Sequence, residues 1–486
     1  MNSNQRRKNK RDTMALLIAI TMALLIINLQ LPESLVTSGE VTLSRTGQTS
    51  IGVLIFCLVL WMTEAIPFHI TGLLGVFFMA IFQVDSFTEI VKVGFGNQIV
   101  IFFIGVLILS AYITYSGLGK RIAMFIVART GNDTGLIILG FLLGGVFLSM
   151  WVTDMAVAAI LMPLAKGILE EEGVIPLKSN FGKALMISCA WGPIIGGIAT
   201  PAGCGANPLA IGFLRDMVGI EMTFLGWMTY GVPAAILLIL PTWGLLLLFF
   251  KPEIKYLSKT KEELINEYRG LPAMNREEII TLVVFLLTIV LWLISPLIGS
   301  IVGISIPISM PVILTTALFF FPGMSKIRWS EIQPEISWSG IILVLSGISV
   351  GMMLYNSGAA KWLSLKLLGG IGGFSPFWQV FIVVIVVMLL KVLLASNTVT
   401  GTIVIPIVIA LAQGLGLAPL TITLPAALTA SLAFILVTST PTNVIPYSAG
   451  YFSIADMAKI GLIQTIIATV IVSGSIYLIG RVMQLY

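Results

Sequence analysis

Charged side chains are scarce in this chain. Of its 486 residues, 10% are Asp, Glu, Lys or Arg, whereas 57% are hydrophobic, and the mean hydropathy is +1.04. A soluble domain carries roughly 25% charged residues, so a chain this poor in charge cannot cover itself with a water-compatible surface. The composition predicts a multi-pass protein embedded in the lipid bilayer of the cell membrane, and it gives no support to nucleic-acid binding.

Several residue types that enzymes and pumps need are also rare. His69 is the only histidine, and the three cysteines, Cys57, Cys189 and Cys204, have no metal-ligand spacing. No G-x-x-x-x-G-K-[ST] motif is present, which argues against an ATP-driven pump. The sequence therefore predicts no enzyme, no catalytic residues, no metal site and no cofactor. His69, and Glu64 before Pro67, are interpreted as structural.

Long apolar runs fill most of the chain, and the charges between them predict its orientation. The basic stretch "NQRRKNKR" (4–11) places the N-terminus in the cytoplasm by the positive-inside rule. Two apolar runs have polar centres and are too long for one span, so they are predicted to be re-entrant hairpins. Counting from the N-terminus gives eleven spans and an external C-terminus. The predicted parts are a basic N-terminus (1–13), a first half (14–250) with a hairpin at 134–168, a cytoplasmic linker (251–277), and a second half (278–486) with a hairpin at 376–414.

The two halves contain similar segments in the same order. Three pairs align at offsets of 241, 243 and 236 residues: "YSGLGK" (115–120) with "NSGAAK" (356–361), "TDMAVAAILMP" (153–163) with "SNTVTGTIVIP" (396–406), and "CGANP" (204–208) with "TPTNV" (440–444). An odd number of spans separates the matched points, which predicts inverted repeats. Secondary transporters are commonly built this way, and their broken helices and hairpin tips form the substrate site near the bilayer midplane.

The polar residues concentrate at these matched points. Hydroxyl and amide side chains stand at both predicted tips and in two helix breaks, "ATPAGCGAN" (199–207) and "VTSTPTN" (437–443). Open helix N-termini with such side chains favour anions, and freed carbonyls favour small cations. The pattern therefore predicts a carboxylate site with a cation close by, although the same residues could act only as helix breakers and packing contacts.

Three segments make the chain similar to a known family. "SNTVTGTIVIP" (396–406), "TSTPTNVIPYSAGYFSIADMAKIGL" (438–462) and "WMTEAIPFHITGLL" (61–74) resemble the divalent anion–sodium symporters, which include INDY-type di- and tricarboxylate carriers. The resemblance covers about residues 50–480. It implies an all-α fold with two inverted repeats, eleven spans and two hairpins, a homodimer, and an elevator mechanism in which a transport domain carries the substrate past a scaffold.

The resemblance also implies which residues bind substrate. In the first half the family motif falls on Thr153, Asp154, Gly203, Cys204 and Asn207. In the second half it falls on Ser396, Asn397, Thr398, Thr440, Pro441 and Asn443.

Asp154 departs from the family pattern, because Thr-Asp-Met stands where sodium-coupled members carry Ser-Asn-Thr. Lys391 is also unusual, since it lies five residues before Ser396, or roughly 7–8 Å along the helix. A buried ammonium there could replace a sodium ion, offset a dianionic substrate or pair with Asp154. Alternatively, Lys391 extends to the headgroups, and Asp154 strengthens a sodium site or carries a proton.

These departures favour a sodium-independent exchanger of di- or tricarboxylates, such as succinate, malate, 2-oxoglutarate or citrate. The alternative is a sodium-coupled dicarboxylate symporter, with sodium as the coupling ion. An ion channel is disfavoured because the sequence contains no filter-like motif or series of pore-lining charges.

Overall fold

Helices dominate the computed structural model, which describes residues 3–32, 36–38 and 41–485. Two short antiparallel strands, β1 (Thr37–Ser38) and β2 (Val41–Thr42), follow the first helix. The helices of the first half are α1 (Ser3–Asn28), α2 (Arg45–Thr63), α3 (Phe68–Ile81), α4 (Phe87–Phe95), α5 (Gln98–Tyr115), α6 (Leu118–Arg129), α7 (Thr134–Ser149), α8 (Asp154–Glu171), α9 (Asn180–Gly197), α10 (Ala206–Val218) and α11 (Phe224–Phe249).

The second half begins after a short helix in the linker. Its helices, with that linker helix first, are α12 (Lys261–Arg269), α13 (Arg276–Val302), α14 (Ser309–Leu318), α15 (Trp329–Ile332), α16 (Trp338–Asn356), α17 (Ala359–Leu368), α18 (Pro376–Leu393), α19 (Asn397–Gly414), α20 (Pro419–Thr429), α21 (Pro441–Tyr447) and α22 (Ile454–Val482). Three short 3₁₀ turns lie at Gln333–Glu335, Gly369–Gly373 and Val437–Ser439.

Nine helices in the described part of the chain are long and apolar enough to cross a membrane. They are α1 from Asn9 onward, α2, α5, α11, α13, α16, α18, α19 and α22. Four shorter apolar helices, α3, α7, α14 and α20, fall short of the roughly 20 residues that one span needs. The count of eleven spans stays a prediction, because short helices can share a crossing.

Helix pairs stand where the two hairpins are predicted. In the first pair α7 ends at Ser149 and α8 begins at Asp154, and in the second pair α18 ends at Leu393 and α19 begins at Asn397. The first pair runs to Glu171, slightly beyond the predicted bound of 168, while the second ends at Gly414. Each turn between the arms is only three or four residues long, so the polar tip residues begin the second arm of each pair.

The order of helices from α5 to α11 recurs from α16 to α22. In both series, a glycine in the left-handed region begins the second helix: Gly117 (φ 86°) before α6 and Gly358 (φ 78°) before α17. A proline also lies inside the second hairpin arm of each series, at Pro163 and Pro406. These shared irregularities support the internal repeat that the sequence predicts.

Packing between the halves brings the polar segments together. The second arm of the first hairpin, α8, packs against α21 of the second half. In the same way, the second arm of the second hairpin, α19, packs against α10 of the first half. The helix after each break therefore belongs to one half, while the hairpin arm that packs against it belongs to the other. This crossed arrangement places both tips beside both breaks.

The linker that joins the halves is bound to the base of the first hairpin. Thr134 donates its backbone N–H to the Lys255 carbonyl (3.1 Å), and Ser258 donates its backbone N–H to the Glu172 carboxylate (2.8 Å). The base of α9 is held as well, because Glu253 accepts hydrogen bonds from the Ser179 hydroxyl and the backbone N–H groups at its start.

These bonds change the acidity of Glu253. Partial burial would raise the pKa of this carboxyl, but the hydrogen bonds from Ser179, Asn180 and Phe181 outweigh burial and lower the pKa. A lowered pKa in the folded state means that the ionised form stabilises the fold. The contribution is present above the ordinary carboxyl pKa, roughly 4.3, and is lost as the pH falls below it.

We predict that Glu253→Gln lowers the stability of the purified protein at pH 7 by up to about 1 kcal/mol, because Glu253 is solvent-exposed and screening weakens its interactions. The difference in Tm between wild type and variant should shrink between pH 5 and pH 3, where the native carboxylate becomes protonated. Glu335→Gln, at an exposed acid on the 333–335 turn, is the control. A difference in Tm that grows on acidification would contradict the assigned role.

Candidate functional site

The tip of the first hairpin holds an acid at the start of a helix. Asp154 is the first residue of α8 and is only 8% exposed. Its backbone N–H donates to the Gly203 carbonyl (3.2 Å), and its Oδ1 accepts the backbone N–H of Met155 (2.8 Å). Thr153 precedes α8 without a side-chain capping bond, so its hydroxyl is not used to close the helix end.

The second tip meets the first through a side-chain hydrogen bond. Asn397, also 8% exposed, donates from Nδ2 to Oδ2 of Asp154 at 3.0 Å. Ser396 caps α19, with its hydroxyl accepting the backbone N–H of Val399 (3.4 Å). The predicted tip residues of the two halves, 243 positions apart, are therefore in direct contact.

An asparagine closes each helix break in the same way. In the first half, Nδ2 of Asn207 donates to the carbonyls ten and seven residues earlier, Gly197 and Thr200, both at 2.7 Å. In the second half, Nδ2 of Asn443 donates to the carbonyls ten and seven residues earlier, at 2.8 and 3.2 Å. A buried carbonyl without a partner is costly, so these amides allow the helices to break inside the protein.

The remaining predicted residues line the same region. Cys204 is buried beside Asn397 and Ser431, and a Cβ on the neighbouring Gly205 would lie 2.6 Å from Oγ1 of Thr398. The first break thus touches the second tip. Thr440 is buried, whereas Pro441 is exposed as the first residue of α21.

Thr442 belongs to the site although the sequence analysis did not assign it. Thr440 donates its hydroxyl to Oγ1 of Thr442 (3.3 Å), and the Thr442 side chain lies near the Asp154 carboxylate. Its position in the motif "TPTN", two residues after Thr440 and directly before Asn443, was the available signal.

Lys391 is buried under the second tip. It is 1% exposed, and its Nζ donates to the carbonyls of Leu394 (3.0 Å) and Ser439 (2.6 Å). This geometry does not match a lysine that extends to the lipid headgroups. The described residues also show no ion pair between Lys391 and Asp154; Lys391 instead donates to one carbonyl of the second tip and one of the second break.

The two halves differ at this point. The repeat offsets pair Lys391 with Leu148 and Ser439 with Gly203. In the first half the Gly203 carbonyl accepts a backbone N–H from the tip, while in the second half the Ser439 carbonyl accepts the lysine ammonium. One carbonyl position therefore accepts a backbone N–H, and its counterpart accepts the side-chain Nζ of a lysine.

Few charges lie in this interior. In the part of the chain that the structure describes, the buried charged residues are Asp154, Glu278 and Lys391. Glu278 is paired with Arg121 (2.8 Å) away from the tips. The site itself thus contains one acid and one base.

Amide oxygens form a second kind of group in the site. Oδ1 of Asn207, Asn397 and Asn443 is buried without a hydrogen-bond partner among the described residues. Such oxygens can accept a hydrogen bond from a hydroxyl group or coordinate a hard cation. The described residues hold no cluster of three or more His, Cys, Asp or Glu that could bind a metal ion.

Apolar spanning helices around two broken helices and two facing tips define a multi-pass membrane transporter. Residues 11–485 match the family described as the sodium:sulfate symporter transmembrane region, so the chain belongs to this family. The predicted resemblance to divalent anion–sodium symporters and the predicted all-α membrane fold are confirmed, as is the prediction that the protein is not an enzyme.

Curated relatives are similar along most of the chain. The sodium-dependent dicarboxylate transporter SdcS of Staphylococcus saprophyticus is 28% identical, covering 98% of this chain and 93% of the relative. SdcS of Staphylococcus aureus strain USA300 is 29% identical, covering 86% of this chain and 83% of the relative.

Two solved structures share the fold at low sequence identity. The YdaH transporter of Alcanivorax borkumensis has a TM-score of 0.56 at 14% identity, and the match covers 98% of both chains. MtrF of Neisseria gonorrhoeae has a TM-score of 0.58 at 10% identity, covering 96% of this chain and 94% of MtrF. At these identities the likeness concerns the fold alone.

We predict that Gly203→Ala disrupts the first tip. A Cβ there would lie 2.5 Å from the Ser149 carbonyl oxygen and 2.6 Å from that of Gly197, so the backbone must shift, at a cost of about 1–3 kcal/mol. The measurement is the Tm of the purified protein in detergent. Gly474→Ala is the matched control, since a Cβ in α22 at that position meets nothing within 4 Å. Equal Tm values for both variants would contradict the close packing at Gly203.

Proposed function

We propose that this protein exchanges small di- or tricarboxylates across the cell membrane without sodium. The observation that carries the proposal is the Lys391 ammonium on the carbonyls of Leu394 and Ser439. Carbonyls freed by a helix break are where carriers of this type can coordinate Na⁺. A lysine that fills them supplies a cationic group that is covalently attached and cannot leave, so the carrier gains no energy there from a sodium gradient.

Exchange follows from keeping that charge in the site. When the substrate leaves, a dissociable sodium ion would leave as well, but Lys391 stays behind in a buried position. Because no cation leaves with the substrate, no ion gradient drives the return of the empty carrier, and the carrier returns with another anion bound. This coupling makes transport an obligate antiport.

The substrate class rests on donor chemistry and on the relatives. Thr153, Ser396, Thr398 and Thr440 supply hydroxyls, and Asn397 supplies an amide N–H, which are suitable donors for carboxylate oxygens. The SdcS relatives are named dicarboxylate transporters. We assign substrate binding to Thr153, Asp154, Cys204, Asn207, Ser396, Asn397, Thr398, Thr440, Pro441 and Asn443, with Lys391 as the cation substitute.

A sodium-coupled symporter is the second candidate. Three buried amide oxygens have no hydrogen-bond partner among the described residues, and Asp154 adds a carboxylate beside one of them. Oxygen ligands of this kind suit a hard cation, and the SdcS relatives are named sodium-dependent. Under this alternative, a sodium ion would bind in the first half while Lys391 replaces one in the second.

For the membrane arrangement we propose a homodimer that works as an elevator. The first half (14–250) and second half (278–486) would each contribute a hairpin to the moving domain, and the linker (251–277) would lie in the cytoplasm. The N-terminus would be cytoplasmic and the C-terminus external. The crossed packing of each hairpin against the other half's broken helix supports joint movement of these four elements.

Purified protein in liposomes tests exchange against symport. We expect uptake of labelled succinate to require unlabelled dicarboxylate inside the vesicles and to be unaffected when choline replaces sodium outside. The uptake rates in vesicles loaded with citrate, malate or 2-oxoglutarate compare these compounds as counter-substrates. Uptake into empty vesicles that is driven by an inward sodium gradient would refute exchange and establish the second candidate.

For Lys391→Ala we predict loss of exchange, by about tenfold or more, in a protein that still folds. Removal of the ammonium leaves two buried carbonyls unpaired and removes the charge that offsets the substrate. Rates are measured as above, and elution on size exclusion confirms folding. Lys366→Ala, at an exposed lysine of α17, is the control. Exchange at the wild-type rate would show that Lys391 does not replace a cation.

A further inference from the structure

The donors of the second half converge on a carboxylate that belongs to the protein. Nδ2 of Asn397 donates to Oδ2 of Asp154 at 3.0 Å, and the Thr442 hydroxyl lies near the same carboxylate. Thr440 adds its hydroxyl behind Thr442 at 3.3 Å. Asn397 and Thr440 are residues that the proposed function assigns to the substrate, so in this structure the place of a substrate carboxylate is taken.

We propose that Asp154 is a tethered competitor of the substrate: its carboxylate occupies the amide donor of Asn397, beside the Thr442 hydroxyl, in the ligand-free protein, and an arriving carboxylate must displace it. This inference rests on the proposed function, since it assumes a carboxylate substrate. For Asp154 alone it replaces the substrate-binding role assigned above with that of a competitor for the remaining substrate ligands. The acid lowers the affinity and thereby selects for substrates that can replace it.

The chemistry of the displaced group matches that of the substrate. Both are carboxylates, which can accept charge-assisted hydrogen bonds from amide and hydroxyl donors. Because Asp154 is fixed to the tip, its local concentration at these donors is high without any binding equilibrium with solution. A free carboxylate therefore competes against an intramolecular ligand, and its apparent affinity falls by the fraction of protein in which the donors are free.

Charge within the site acts in the same direction. Lys391 and Asp154 balance each other when no substrate is bound, and they interact electrostatically across the second tip. A dianion added beside an ionised Asp154 would leave a net negative charge of two in a buried space, which is unfavourable. Moving the Asp154 carboxylate away from the donors reduces this repulsion and leaves Lys391 to face the substrate.

The backbone provides an alternative position for the displaced carboxylate. Oδ1 of Asp154 already accepts the backbone N–H of Met155 (2.8 Å), and Asp154 lies in the first turn of α8, where the helix dipole stabilises a negative charge. Asp154 can thus release Asn397 by rotating its side chain while it keeps this bond. No unfolding of the tip is required.

The test is succinate binding to purified Asp154→Asn in sodium-free choline buffer, measured by isothermal titration calorimetry. An asparagine keeps the size of the side chain but removes its charge, so it competes poorly for the donors. We expect the Kd for succinate to fall by about tenfold or more, which corresponds to a competitor that occupies the donors about nine-tenths of the time. Asp133→Asn is the matched control, because this acid caps the base of the same hairpin, and asparagine caps equally well.

Each other outcome overturns the proposal. An unchanged Kd would show that Asp154 only positions Asn397, and a weaker Kd would make it a substrate ligand. The titration is also repeated in sodium buffer. If wild type needs sodium to bind succinate, and Asp154→Asn has lost this dependence without binding more tightly, Asp154 is a cation ligand. If Asp154→Asn does not fold, Asp154→Ser carries the same expectation.

A separate result would concern the proposed function. Binding of succinate, malate, 2-oxoglutarate or citrate to the wild-type protein establishes the carboxylate substrate class before any variant is compared. Wild-type protein that binds none of the four refutes the proposed function, and with it this inference. If the wild-type protein binds succinate and Asp154→Asn binds it with the same Kd, the inference is refuted but the proposed function is not.

Discussion

The site depends on two asparagine amides that make broken helices possible in an apolar environment. A helix that stops inside a membrane protein exposes carbonyls that lipid cannot satisfy. Asn207 and Asn443 each donate to two of these carbonyls, at the same spacing of ten and seven residues. With the backbone held in this way, short polar segments can face each other in the interior, and the tips of both hairpins find partners there.

On this symmetric frame the two halves carry opposite charges. Asp154 begins the second arm of the first hairpin, and Lys391 lies in the last turn of the first arm of the second hairpin. Each is held by groups at the tips and at the second break: a backbone N–H and a side-chain amide for the acid, and two carbonyls for the base. A transporter that binds its ions from solution would need neither charge. Here the chain supplies one of each, which fixes the electrostatics of the empty site in the sequence itself.

Much of this arrangement could be predicted from the sequence. The offset of 243 residues paired the region of Asp154 with that of Asn397, and the two side chains are in contact. The depth of Lys391 also followed from its distance to the tip. Both predictions work because hairpins and breaks carry strong local signals, namely glycine, proline and polar residues within apolar runs.

Other features had no such signal. The acceptors of Lys391 are backbone carbonyls, which are present at every residue, so only the fold shows that Leu394 and Ser439 are the ones in reach. Thr442 was missed because hydroxyl residues alternate in the short helical turn "TPT", and the sequence does not show which of them faces the site. The direction of the Asn397 amide, toward Asp154, likewise depends on how the halves cross, and this packing is not local to either motif.

The linker attachment has a mechanical consequence. Residues 255 and 258 are hydrogen-bonded to both ends of the first hairpin. The linker that joins the halves therefore also restrains that hairpin. Force applied to the linker, for example by a bound protein or by cleavage, would reach the Asp154 tip along the arms α7 and α8. The loop between the halves can thus transmit tension to the site as well as connect the two parts of the chain.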